Sequence, residues 1–362
     1  MKIGVLTGGG DCPGLNAVIR AVTLALQQDG ATVLGIEQGF RGLLEGRARE
    51  LSPADVTGIL TEGGTILGTD NRCDPFALRS DAGGEPVDRS AEALAHARAW
   101  GLDALVAIGG DGSMAIAHRF HRAGLPVVGV PKTIDNDLAH TDRTFGFDSA
   151  VAVVAEALDR LATTARSHRR VMLCETMGRY VGWIALEGGL AGAADAILLP
   201  ERPYSVDAVA AFCAAREARG LSTLICIAEG AHAAGEGLAV RATLPGSPDP
   251  LRLGGAAERL QHALQPLLAS EVRSAVLGHT QRGGTPTAFD RVLATRFGVA
   301  AAELVRQRRF GRMVTLQGAD CGEVSLDEVA GKSRNVPEGH ALLRAAEALG
   351  LCLGQGPATA GA

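Results

Sequence analysis

Aromatic side chains are scarce in this sequence: nine Phe, two Trp and two Tyr among 362 residues. With apolar residues at 46%, the core has to be packed from Ala, Val, Leu and Ile, and the length allows two sizeable domains. No run of 18 apolar residues occurs, so no segment is expected to span a membrane. Positive charge is not in excess either: a net charge of −5 argues against nucleic acid as the main partner. CxxC spacing is absent from the seven cysteines (Cys12, Cys73, Cys174, Cys213, Cys226, Cys321 and Cys352). Odd in number and scattered, they read as reduced thiols of a cytoplasmic protein, without a zinc site or a disulfide frame. Asp11 interrupts the apolar character of the first residues before a signal peptide could form. There is no internal repeat. No clean G-x-G-x-x-G opens the first helix, which argues against a dinucleotide-dependent oxidoreductase.

Glycine, by contrast, is abundant at 48 residues and gathers at the ends of apolar runs, where tight turns approach ligands. Residues 2–7 read as a strand entering Gly8-Gly9-Gly10-Asp11, and a helical stripe of Val18, Ile19, Val22 and Leu26 follows over 15–28. Such a turn either cradles an anion with backbone N–H groups or only packs closely. Residues 31–36 suggest a second strand. Residues 103–108 form a third, ending in Gly109-Gly110-Asp111-Gly112-Ser113, where an acid between glycines suits a metal-bound polyphosphate or a plain turn. The run 125–130 ends in Pro131-Lys132-Thr133-Ile134-Asp135-Asn136-Asp137, a turn with an ammonium, a hydroxyl and carboxylates at a strand's carboxyl end. A helix is expected over about 149–165.

Three more strands follow, over 171–174, 223–228 and 273–277, each closing in a polar or Gly-rich turn. Six such units predict a doubly wound α/β enzyme with its site along the strand ends. Arg170, Arg179, Arg273 and Arg282 attach to these turns with His279 beside them, which favours an anionic substrate. Segments 80–90 and 232–256 read as surface loops.

In chain order, GGDCPGLN (9–16), GGTILG (63–68), GGDGS (109–113), PKTIDND (131–137), MGR (177–179), EG (229–230) and GHTQRGG (278–284) resemble the motifs of 6-phosphofructokinases. The resemblance covers roughly residues 1 to 320. It implies two Rossmann-like domains with mainly parallel sheets and an active site in the cleft between them. The larger, donor-binding domain would hold 1–146 with about 281–331. The smaller, sugar-phosphate domain would hold 147–280 with about 332–354, and 355–362 would be a disordered tail. The implied reaction carries the γ-phosphate of ATP to the 1-hydroxyl of fructose 6-phosphate.

The resemblance casts Asp135 as general base, with Thr133 near the transferred phosphate and Asp111 as the Mg2+ acid. Gly10, Arg72, Cys73, Gly110, Gly112, Ser113 and Lys132 would contact the donor, and Arg72 and Arg179 would act on the transition state. Ile134, Met177, Gly178, Arg179, Glu229, His279, Thr280, Gln281 and Arg282 would hold the sugar phosphate. Arg170 and Arg273 would pass to a neighbouring subunit, which implies a homo-oligomer, a dimer or a tetramer. In the family a Gly at 112 goes with ATP, whereas a Lys at 132 is typical of pyrophosphate users. This chain has both, and the steric argument at 112 favours ATP over pyrophosphate. Between Gly68 and Arg72 it holds one more residue than the family pattern. Leu24, Ala162 and Gly220 stand where regulated relatives carry basic effector contacts, so that effector site is expected to be missing. GGDG is shared with NAD kinases and diacylglycerol kinases, but PKTIDND and HTQRGG are not expected there. A non-catalytic sugar-phosphate regulator should have lost Asp135 or Asp111, and both are present.

Overall fold

The computed structural model describes residues 1–79, 84–243 and 250–355. In chain order its strands are β1 (Lys2–Thr7), β2 (Thr32–Ile36), β3 (Ala48–Glu50), β4 (Ala104–Gly109), β5 (Val127–Pro131), β6 (Val171–Thr176) and β7 (Ala196–Leu198). After these come β8 (Thr223–Ala228), β9 (Val240–Thr243), β10 (Leu251–Leu253), β11 (Val272–Val276), β12 (Arg312–Gln317) and β13 (Asp320–Ser325). The described residues form two compact units, one of 1–79, 84–149, 250 and 282–334, the other of 150–243, 251–281 and 335–355.

The first unit carries a seven-stranded sheet in the order β13-β12-β5-β4-β1-β2-β3. Its centre is parallel, and the edge strands β3 and β13 run antiparallel. Every residue of β4 and β5 is buried, as continuous apolar runs between two helical layers should be. Register sets the site: Thr7 lies opposite Ile108, and Gly109 opposite Pro131. The turns after β1, β4 and β5 therefore emerge side by side at one edge of the sheet. The helix Leu15–Gln27 begins at Gly14, whose φ is 105°, and a Cβ there would lie 2.7 Å from the Phe145 ring. Its expected stripe of Val18, Ile19, Val22 and Leu26 is fully buried.

The second unit holds a four-stranded parallel sheet, β11-β6-β8-β7. Thr176 pairs with Ala228 and Glu175 with Val276, which aligns the turns carrying Met177–Arg179, Glu229-Gly230 and Leu277–Gln281. The helix expected over 149–165 runs further, Phe147–His168.

One expectation needs correction. The segment 232–256 is no plain loop, because β9 and β10 pair there as an antiparallel ribbon. Its polar, Gly- and Pro-rich sequence masks that pairing, since β9 is exposed throughout. In the segment 80–90, residues 80–83 lie outside the described residues, and Val87 exchanges both backbone hydrogen bonds with Leu78 at 2.9 Å. Of the expected tail, Gln355 donates its amide to the Pro203 carbonyl (3.1 Å), and 356–362 lie outside the described residues.

Candidate active site

Three consecutive carbonyls of the turn after β1 are each bound by a side chain from a different segment. Thr69 Oγ1 donates to Gly9 O (2.5 Å), Lys132 Nζ to Gly10 O, and Arg282 Nη1 to Asp11 O (3.1 Å). The turn's carbonyls are held this way, and a Cβ on Gly10 would sit 2.9 Å from Arg282 Nη1, so the guanidinium that holds Asp11 O would have to shift. Gly8 and Gly109 are required by Ser113, whose Oγ would lie 2.6 Å and 2.4 Å from a Cβ at those positions. Lys132, one of only three lysines, is buried, and loss of hydration lowers its pKa below the usual ammonium value.

Gly110 precedes the helix Asp111–Arg122, which puts the Asp111 carboxylate in its first turn, where the helix dipole favours an anion. Asp111 and Gly112 are exposed, and a Cβ on Gly112 meets nothing within 4 Å. The protein does not need a glycine there. Among the described residues no three acidic, His or Cys side chains converge as an ion cage. A single exposed carboxylate suits a divalent ion that keeps phosphate oxygens and water as its other ligands.

In the turn after β5, Thr133, Ile134, Asp135 and Asn136 are all buried. Thr133 Oγ1 accepts the Asp135 N–H (3.0 Å), and Thr144 Oγ1 donates to Thr133 O (2.7 Å). Asn136, at φ 52°, accepts the Thr144 N–H through Oδ1 (3.1 Å), and its carbonyl accepts from the Arg334 guanidinium (3.1 Å). Asp135 Oδ1 is buried with no hydrogen-bond partner among the described residues. A carboxylate oxygen kept in that state costs stability and leaves its lone pairs available to a ligand. Ile134 is fully buried, so only its backbone can meet a substrate.

Arg72 is exposed, whereas the Cys73 side chain is 4% exposed and packs in the core beneath the sheet. Burial pushes its thiol up to about 11. Its sulfur faces apolar side chains, which leaves the backbone of Cys73 to meet a donor.

In the second unit, Gly178 (φ 140°) could bear no side chain, since a Cβ would meet Val181 O at 2.5 Å. The exposed Arg179 donates its N–H to Glu229 Oε1 (2.9 Å). Gln281 is fully buried, accepting the Met177 N–H (3.3 Å) and donating to Gly278 O (3.0 Å). It therefore shapes the turn, while His279 and Thr280 are exposed. Arg170 and Arg273 both pair with Glu271, Arg170 Nε at 2.5 Å. Arg282, expected with the sugar-phosphate residues, sits in the first unit against the turn after β1.

Asp290 was not foreseen. Its Oδ2 accepts the Ser149 N–H (2.8 Å) and Oγ–H (2.6 Å), joining the starts of the helices Phe147–His168 and Ala288–Arg306. Burial raises its pKa to about 6 despite these bonds. The fold thus favours the protonated carboxyl, a contribution complete below the unfolded value of ~3.9 and lost as pH rises through about 6. Relative to Asp290→Asn, the wild type should lose on the order of 3 kcal/mol between pH ~4 and ~7. Urea unfolding of both proteins across that range checks this, and parallel curves would refute it.

The model of the family described as Phosphofructokinase matches residues 2–305. An ATP-dependent 6-phosphofructokinase 2 of Clostridium perfringens is 48% identical over 97% of this chain and 97% of its own. A pyrophosphate–fructose 6-phosphate 1-phosphotransferase of Amycolatopsis methanolica is also 48% identical, over 93% of this chain and 96% of its own. Among solved structures, phosphofructokinase from Saccharomyces cerevisiae superposes with a TM-score of 0.77 at 32% identity. That match covers 90% of this chain, which spans 45% of the yeast chain's length. With a family match over most of its length and relatives near half identity end to end, the chain belongs to the phosphofructokinase family.

Proposed function

We propose that this chain transfers the γ-phosphate of ATP to the 1-hydroxyl of fructose 6-phosphate, giving fructose 1,6-bisphosphate. The observation that carries the reading is Asp135: a buried carboxylate with a free oxygen, on a turn that emerges beside two Gly-rich turns. In the transfer, the sugar oxygen bonds to phosphorus, the bond to the departing ADP oxygen breaks, and the hydroxyl proton passes to Asp135. Gly10, Gly110, Gly112 and Ser113 admit the donor's phosphates closely, and Lys132 and Arg72 offset their charge. Asp111 would hold Mg2+ together with phosphate oxygens, and that ion supplies neutralisation of the phosphate charge. Met177, Gly178, Arg179, Glu229, His279 and Arg282 are assigned to the sugar phosphate, with Arg179 also stabilising charge in transfer.

The reading includes a cytoplasmic homo-oligomer in which Arg170 and Arg273 serve a neighbour's sugar phosphate. Support comes from Arg273, whose side chain is 57% exposed on the edge strand β11. The seven cysteines are free thiols, and among the described residues no helix is long and apolar enough to cross a membrane.

Pyrophosphate is the second reading, favoured by the buried ammonium of Lys132 bonded into the turn after β1. A donor comparison on purified protein decides between them, with Mg2+ and either ATP or pyrophosphate. Bisphosphate formation with ATP alone is expected. Formation with pyrophosphate alone would give the donor site to Lys132, and formation with neither would sink the proposal.

A further inference from the structure

We infer that Asp70 is a positioning residue: its carboxylate fixes the turn bearing Arg72 and fastens that turn to the glycine turn after β1. The inference rests on the reading of Arg72 as a donor contact, and it is carried by the bonds Asp70 makes. Oδ1 accepts two successive N–H groups, of Arg72 (2.7 Å) and Cys73 (2.6 Å), so the chain wraps tightly around one oxygen. Oδ2 takes the Nε of Arg41 at 2.7 Å, and Arg41 also reaches Glu45 at 3.5 Å on the same helix, Phe40–Glu45. The backbone carbonyl of Asp70 accepts the Gly9 N–H (3.2 Å), and its neighbour Thr69 donates to Gly9 O (2.5 Å).

One residue therefore joins three things: the turn that presents Arg72, a helix anchor at Arg41, and the turn after β1. Arg72 itself is exposed, and the two Asp70-bound N–H groups begin at its own backbone. A long guanidinium side chain on an unbraced loop would sample many positions at an entropic cost. Braced, it starts from one backbone geometry, and a displacement near an ångström at such a group costs up to about a hundredfold in rate. Burial pushes the Asp70 carboxyl up, but the bonds from Arg41, Arg72 and Cys73 prevail and hold it below the usual carboxylate range. The brace is therefore charged at neutral pH.

A double-mutant cycle tests this. Asp70→Ala is expected to lower kcat by about tenfold to a hundredfold, with the KM for fructose 6-phosphate unchanged. Arg72→Ala is expected to lower kcat at least as far, and the double variant no further than Arg72→Ala alone. Asp70→Asn keeps an oxygen for the two N–H groups, so it should restore kcat to within about threefold of wild type. Losses that multiply in the double variant would overturn the inference while leaving the role of Arg72 intact. So would an Asp70→Asn enzyme as slow as Asp70→Ala, an arm that holds even where the alanine variant folds poorly. Arg72→Ala with wild-type kcat would instead remove the reading of Arg72, and this inference with it.

Discussion

Asp135→Ser is expected to reduce turnover by about 10²- to 10⁴-fold while the KM for fructose 6-phosphate stays within about threefold. The reason is local. The serine hydroxyl cannot take the substrate proton at neutral pH, yet the turn keeps its shape, because the bracing bonds run through groups the substitution leaves alone. Thr133 Oγ1 accepts the backbone N–H of residue 135, Thr144 Oγ1 holds Thr133 O, and the Arg334 guanidinium holds Asn136 O. Stability should move in the opposite direction to activity. Oδ1 of Asp135 is buried without a partner among the described residues, and removing a desolvated carboxylate relieves a cost on the order of 1–3 kcal/mol. Steady-state kinetics and thermal melting of the same preparation check both halves. Turnover within tenfold of wild type would remove Asp135 as the base, and a lower melting temperature would mean that its free oxygen has a partner in solution.

Gly112→Asp should lower kcat/KM for ATP by about thirtyfold or more, an effect on the order of 2 kcal/mol for a carboxylate facing phosphate across solvent-exposed ground. The fold itself should be indifferent. A Cβ at position 112 points into open space, and the residue is exposed near the start of its helix, where an acid is welcome. This separates two reasons a glycine can be needed. Gly178 is held small by protein backbone, since a Cβ would meet Val181 O at 2.5 Å, so substituting it would disturb packing whatever it binds. Nothing in the protein holds Gly112 small, so on the proposed reading only the donor would. Melting temperatures equal to wild type, with kcat/KM measured for ATP and for pyrophosphate, give a clean reading. Undiminished ATP use would end the steric argument from that position.

The parallel strands and their turns were legible because each strand is a short apolar run stopped by glycine or a polar cluster. That pattern survives without knowledge of neighbours, and β1 and β8 fall where the sequence places them. Pairing across long separations was harder. β13 reads as polar because only one of its six residues is buried, and β9 is exposed throughout. Motif residues could be named from the sequence, but not the direction their side chains take. Cys73 turns its sulfur to the core, Gln281 turns inward to hold Met177, and Arg282 binds the turn after β1. Asp70 carried a faint signal, an Asp-Asn pair of the kind that wraps backbone N–H groups. Asp290 carried none, since its partner Ser149 lies 141 residues away.

The pinning of the glycine turn by Thr69, Lys132 and Arg282 sets an order in which the molecule can be completed. The three partners lie 60, 122 and 271 residues from the carbonyls they hold. During synthesis the turn leaves the ribosome well before its last restraint, which is supplied 271 residues later. Closing contacts over such separations is slow, and chains of this size pass through partly packed forms. The glycine turn therefore becomes rigid only long after it is made. A nascent chain that has formed β1, β4 and β5 would already look native in its sheet while its glycine turn was still free to move.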